Sequence, residues 1–83
     1  MIFFVYIIYS ASLNRYYVGS TGQLDDRLYR HRNSGSKSTK KAKDWTLKYT
    51  ESFETYAQAV AREMHIKKMK SRTYIEFLIA SKS

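Results

Sequence analysis

Eighty-three residues, 43% hydrophobic and 16% aromatic, make one small domain, placed at 1–80, and leave no room for a second core. The absence of cysteine excludes a disulfide framework or a thiolate metal site and fits a reducing, cytoplasmic location. The net charge of +8 is concentrated, at +7 over residues 27–48 and +4 over residues 62–72 against −3 elsewhere, which points to a polyanion partner, nucleic acid above all.

The apolar start has no positive leader and no small-residue cleavage site, and it is too short to span a bilayer, so membrane association is not expected. Residues 2–9 (IFFVYIIY) are a β-branched and aromatic run with the composition of a strand buried on both faces. A polar stretch from Ser10 leads into a second strand over 15–20, and the short connection makes a hairpin the economical arrangement. Strand alternation puts Tyr6 and Ile8 on one face and Val5, Ile7 and Tyr9 on the other. With Ile8 opposite Tyr17, Gly19 falls opposite Tyr6, both tyrosines share a face, and space is expected above Gly19 for something to approach the backbone.

A turn at 21–23 opens a helix over about 24–33, with Asp25 and Asp26 at its positive end and Leu24 and Leu28 as a narrow buried stripe. Arg27 and His31, four apart, lie one above the other beside that stripe. Residues 35–43 (GSKSTKKAK) read as a flexible basic loop, with 37–43 the most mobile part of the chain. Residues 45–53 (WTLKYTESF) alternate as a third strand with one face buried, and Trp45 is placed in the core. Thr55-x-x-Gln58 is a capping box that opens a helix over 56–70, whose expected core stripe is Ala57, Val60, Ala61 and Met64. Residues 74–80 (YIEFLIA) form a last helix that lids the core.

Tyrosine, arginine, histidine and glutamate together can cut a phosphodiester bond. A carboxylate holds a divalent cation, an arginine forks onto the phosphate oxygens, a base takes a proton from water, and a basic surface brings the polyanion in. Each member also has an ordinary structural explanation. Glu63 pairs at i,i+4 with Lys67, His31 is an exposed helix histidine, Arg27 pairs with acids of its own first turn, and the tyrosines are core or rim.

Val5-Tyr6-Ile7 and Tyr17-Val18-Gly19, then Arg27 and His31, then Glu63 in the helix AREMHIKKMKSR, resemble the GIY-YIG nuclease motif and its order of functional residues over nearly the whole chain. The likeness is to small stand-alone bacterial GIY-YIG domains and to the nuclease domain of the excision-repair endonuclease. It implies an α+β fold, β-β-α-β-α, with a three-stranded, mainly antiparallel sheet flanked by helices. It implies catalytic Tyr6, Tyr17, Arg27 and His31, with Glu63 as the single ligand of magnesium or manganese. DNA, more than RNA, is the implied substrate, with branched or single-stranded forms in view, contacted through Gly19, Arg30, Lys37, Lys40, Lys41 and Lys67. Val5 departs from the first glycine of the name motif, and an additional polar residue after the glutamate is assigned to Ser71 as a guess. No recognition domain is attached, so a protein partner supplying specificity is part of the expectation. The runner-up is a non-catalytic nucleic-acid-binding module with the same fold. A small interaction protein explains the core but leaves the charge blocks idle.

Overall fold

In the computed structural model, which describes residues 1–33 and 42–82, the apolar run near the start becomes β1 (Phe3–Ser10), the middle strand of an antiparallel sheet. Its neighbours are β2 (Arg15–Thr21) and β3 (Trp45–Phe53), in the order β2-β1-β3. A central strand has both faces covered, and Val5, Tyr6, Ile7 and Ile8 are all fully buried. The hairpin register pairs Ile8 with Tyr17 and Tyr6 with Gly19, the register assumed from the sequence. Asn14 takes a left-handed φ of 53° in the connecting turn, a conformation asparagine tolerates.

β3 does not keep one buried face. Opposite β1, Ile7 pairs with Tyr49 and Ile8 with Leu47, so Lys48 is an extra residue in the ladder. This bulge reverses the alternation. Trp45 and Leu47 pack with Tyr6 and Ile8, while Tyr49 packs on the opposite face with Val5 and Ile7.

The two sheet faces are covered by different helices. α1 (Leu24–Arg32) brings Leu24 and Leu28 against the face of Tyr6, Ile8 and Trp45. α2 (Tyr56–Met69) and α3 (Arg72–Lys82) cover the face of Val5, Ile7, Val18 and Tyr49 with Ala59, Ile66 and Leu78. The capping box at the start of α2 is complete, since the Thr55 hydroxyl accepts the Gln58 N–H at 3.2 Å and the Gln58 amide accepts the Thr55 N–H at 3.3 Å. The inner stripe of α2, however, is not the expected one. Ala59 and Ile66 are buried and Val60 is half-buried, whereas Ala57 and Ala61 are exposed and Met64 is 63% exposed. Half-buried Arg62 and Glu63 fill the inner turn between Ala59 and Ile66, so counting apolar residues alone rotates the helix away from its true inner side.

Lys37, Lys40 and Lys41, and most of the loop expected to be mobile, lie outside the described residues. Just after that segment, Asp44 accepts the Ser10 hydroxyl at 2.6 Å and the Ser12 N–H at 2.8 Å, tying the entry of β3 to the end of the hairpin.

Candidate active site

Five side chains gather where β1, β2, α1 and α2 meet. Tyr6 projects from the middle of the sheet across β2, and its ring lies over Gly19. A Cβ at position 19 would stand 2.4 Å from the Tyr6 hydroxyl, so the place above Gly19 is filled by Tyr6 itself. That corrects the expectation of open space there. The glycine makes room for the tyrosine, not for an incoming backbone contact.

The Tyr6 hydroxyl lies 2.9 Å from His31 Nε2, and the two rings tilt against each other at 5.7 Å between centroids. Both residues are buried, Tyr6 at 0% and His31 at 1% exposure, so His31 is not the exposed helix histidine its surroundings in sequence suggest. Tyr17 also tilts against His31, at 58° with centroids 5.0 Å apart, and meets the edge of Trp45 at 6.5 Å. One turn before His31, the Arg27 guanidinium comes close enough to the Tyr6 hydroxyl to favour its charged form. Arg27 does not pair with the acids of its own first turn. It is Arg30 that bridges to Asp26, at 3.2 Å and on the exposed side of α1.

Glu63 reaches the same place from α2, which packs along the edge strand β2. Ser20 donates to its Oε1 at 2.6 Å and Lys67 to its Oε2 at 2.6 Å. The i,i+4 ion pair is therefore present, and it does not take Glu63 away from the cluster. Lys67 also lies over the Tyr17 ring, 5.7 Å from its centroid. Ser20 was not among the expected site residues. Only the strand register, which turns its hydroxyl toward α2, reveals it. Ser71 starts α3, its hydroxyl accepting the Tyr74 N–H at 3.0 Å.

The site has two tiers. Tyr6 and His31 are buried beneath, while Tyr17, Arg27 and Glu63 are half-buried at the rim. Burial pushes the Tyr6 hydroxyl far above its usual pKa; Tyr17 and Glu63 add to that, and Arg27 opposes it. Burial, with Arg27 alongside, lowers the pKa of His31. At neutral pH the lower tier is therefore a protonated phenol bonded to an uncharged imidazole. Among the described residues no three His, Cys, Asp or Glu side chains are grouped as a metal cage, and the carboxylate that reaches the cluster is Glu63. No helix among them is long and apolar enough to cross a membrane.

The GIY-YIG catalytic domain family matches residues 2–75. Among solved structures, the chain is similar to the solution NMR structure of the UPF0213 protein BH0048 from Bacillus halodurans. The two are 29% identical with a TM-score of 0.62, over 99% of this chain and 86% of that one. No curated protein matches the sequence significantly. The family and this neighbour agree with the three-stranded antiparallel sheet flanked by three helices.

Proposed function

The chain belongs to the GIY-YIG catalytic-domain family, and we propose that it is a divalent-metal-dependent endonuclease domain that hydrolyses phosphodiester bonds in DNA. One observation carries the reading: the Tyr6 hydroxyl is bonded to His31 and lies within electrostatic reach of Tyr17, Arg27 and Glu63, which come from three different elements. Packing alone gives no reason for a cation, a carboxylate and two phenols to lie within electrostatic reach of one another in so small a domain.

Glu63 would hold the cation. A single carboxylate suits magnesium or manganese, which keep several waters and complete their shell with substrate phosphate. The Lys67 ammonium on Oε2 marks a side of the carboxylate that already accepts positive charge. When bound, the cation polarises the phosphate and steadies the leaving oxygen. Arg27 forks onto the scissile phosphate and offsets the charge that gathers there in the transition state. Tyr17, at the rim, orients the attacking water. His31 takes the proton through the Tyr6 hydroxyl, so the buried phenol stays neutral throughout and no phenolate forms in a place that disfavours it. Arg30 and Lys67 on the rims, and the net charge of +8, draw in the polyanion.

The test is cleavage of labelled DNA and RNA of several structures, with and without magnesium or manganese, by the wild type and by Glu63→Gln and Arg27→Ala. Metal-dependent cleavage that falls at least about 100-fold in each variant, with folding and binding kept, supports the enzyme. Binding with no cleavage of any substrate in either metal supports the non-catalytic module, for which the Glu63–Lys67 pair closes the carboxylate.

A further inference from the structure

Beside the cluster, and sharing Tyr17 and Lys67 with it, a groove of about 420 Å³ runs between β2 and the junction of α2 with α3. Val18, Ile66 and Ile75 give it an apolar floor beside Tyr16 and Tyr17, and four cations line it, Arg15, Lys67, Lys70 and Arg72. We propose that this groove receives an unpaired nucleotide of the strand being cut, with its base on the floor and its phosphates on the cationic rim. The proposal rests on the endonuclease reading and adds to it the class of substrate, a strand that is single-stranded next to the cut.

Three observations support this occupant. A groove for phosphate alone needs cations and no apolar floor, whereas a base needs a flat apolar or aromatic surface beside the charges, and this groove has both. The Arg72 guanidinium lies over the Tyr16 ring at 5.2 Å and is held there by Asn14 and Glu76, so one flat cationic wall is already set. Lys70 ends α2 with φ 48° and ψ 39°, the left-handed conformation that glycine adopts freely and a lysine does not. Its side chain lines the groove and enters no ion pair among the described residues. A cation held where glycine would be easier fits a residue kept for a bound strand rather than for the backbone.

Lys70→Gly separates the two roles. It relieves the backbone and removes the charge, so the variant melts at a higher temperature than wild type and binds the strand less well. Lys70→Arg keeps the charge and the binding. Binding is read by fluorescence anisotropy on three probes of equal length: a labelled thymidine oligonucleotide, the same sugar-phosphate chain without bases, and a blunt duplex. Wild type binds the thymidine strand at least about fivefold more tightly than the base-free chain, the effect of one stacked base. The blunt duplex binds more weakly than the thymidine strand. In Lys70→Gly the salt dependence of single-strand binding becomes shallower by about 0.7 in log–log slope. Equal binding of the thymidine and base-free strands, or an unchanged salt slope in Lys70→Gly, overturns the groove assignment and leaves cleavage unaffected. If the preference holds and no probe is cut in magnesium or manganese, the groove stands and the endonuclease reading falls.

Discussion

The Tyr6–His31 pair carries consequences at the scale of single residues. A folded-state pKa below the ordinary value near 6.5 means that the unfolded chain binds the His31 proton more readily. Stability from this residue is therefore complete above pH 6.5 and declines as the pH falls from there toward the lowered value. Melting temperatures measured between pH 8 and pH 5 should drop below about pH 6.5, and His31→Asn should remove that drop even though it lowers the melting temperature overall. Gly19 makes the second case. Gly19→Ala drives a methyl into the Tyr6 hydroxyl, and because Tyr6 is enclosed it has no free direction of retreat. We expect a loss of about 1–3 kcal/mol in denaturant unfolding together with loss of any metal-dependent cleavage, as the Tyr6–His31 bond opens. Residue types and their order made this group legible in the sequence. Burial did not show there, because it depends on which element covers which face.

At the scale of elements, strand alternation and capping chemistry were the most readable signals. Period-2 patterning gave the faces of β1 and β2, the register assumed between them is the one observed, and Thr55-x-x-Gln58 opened α2 where it should. Two elements were misread, each for a local reason. One extra residue at Lys48 swaps the faces of β3, and no propensity marks a bulge inside a run that otherwise alternates. In α2, Arg62 and Glu63 take inner places that pattern counting reserves for apolar side chains. Arg62 is held there by Glu51 at 3.0 Å and by the Tyr74 hydroxyl at 3.3 Å, and Glu63 by Ser20. The link between β3 and the hairpin has its own pH signature. The Ser10 hydroxyl, then the Ser12 N–H, hold the Asp44 carboxyl down at about 2. A depressed carboxylate contributes stability above its ordinary pKa near 4 and loses it as the pH falls toward 2. Asp44→Asn should thus flatten the acid side of the stability profile between pH 4 and pH 2, followed by circular dichroism at fixed temperature.

For the molecule as a whole, the sheet divides two apolar clusters that have different jobs. The cluster under α2 and α3, with Ile7, Val18, Ile66 and Leu78, holds the helices on. The cluster under α1, with Tyr6, Ile8 and Trp45, is at once core and wall of the site, because Tyr6 belongs to both and Trp45 meets Tyr17. A domain of this size has about 5–15 kcal/mol of stability in total, so neither cluster has much to spare. Removing a large side chain from either one costs several kcal/mol, about 3–5 for Trp45→Ala and about 2–5 for Leu78→Ala. Unfolding measurements would therefore place the two variants close together, and function should tell them apart. Leu78 is on the far face, on α3, and although α2 rests on the same cluster, Glu63 keeps its own hold on Ser20 while Tyr17 and Arg27 lie on other elements. Nucleic-acid binding and cleavage, normalised to the folded fraction at low temperature, should stay near wild type in Leu78→Ala. In Trp45→Ala the Tyr17 ring loses its edge contact and can turn away from His31, so cleavage per folded molecule should fall well beyond the loss of folded protein. Equal normalised activity in the two variants would mean that the α1-side cluster is core alone, and that the rim of the site holds its geometry without it.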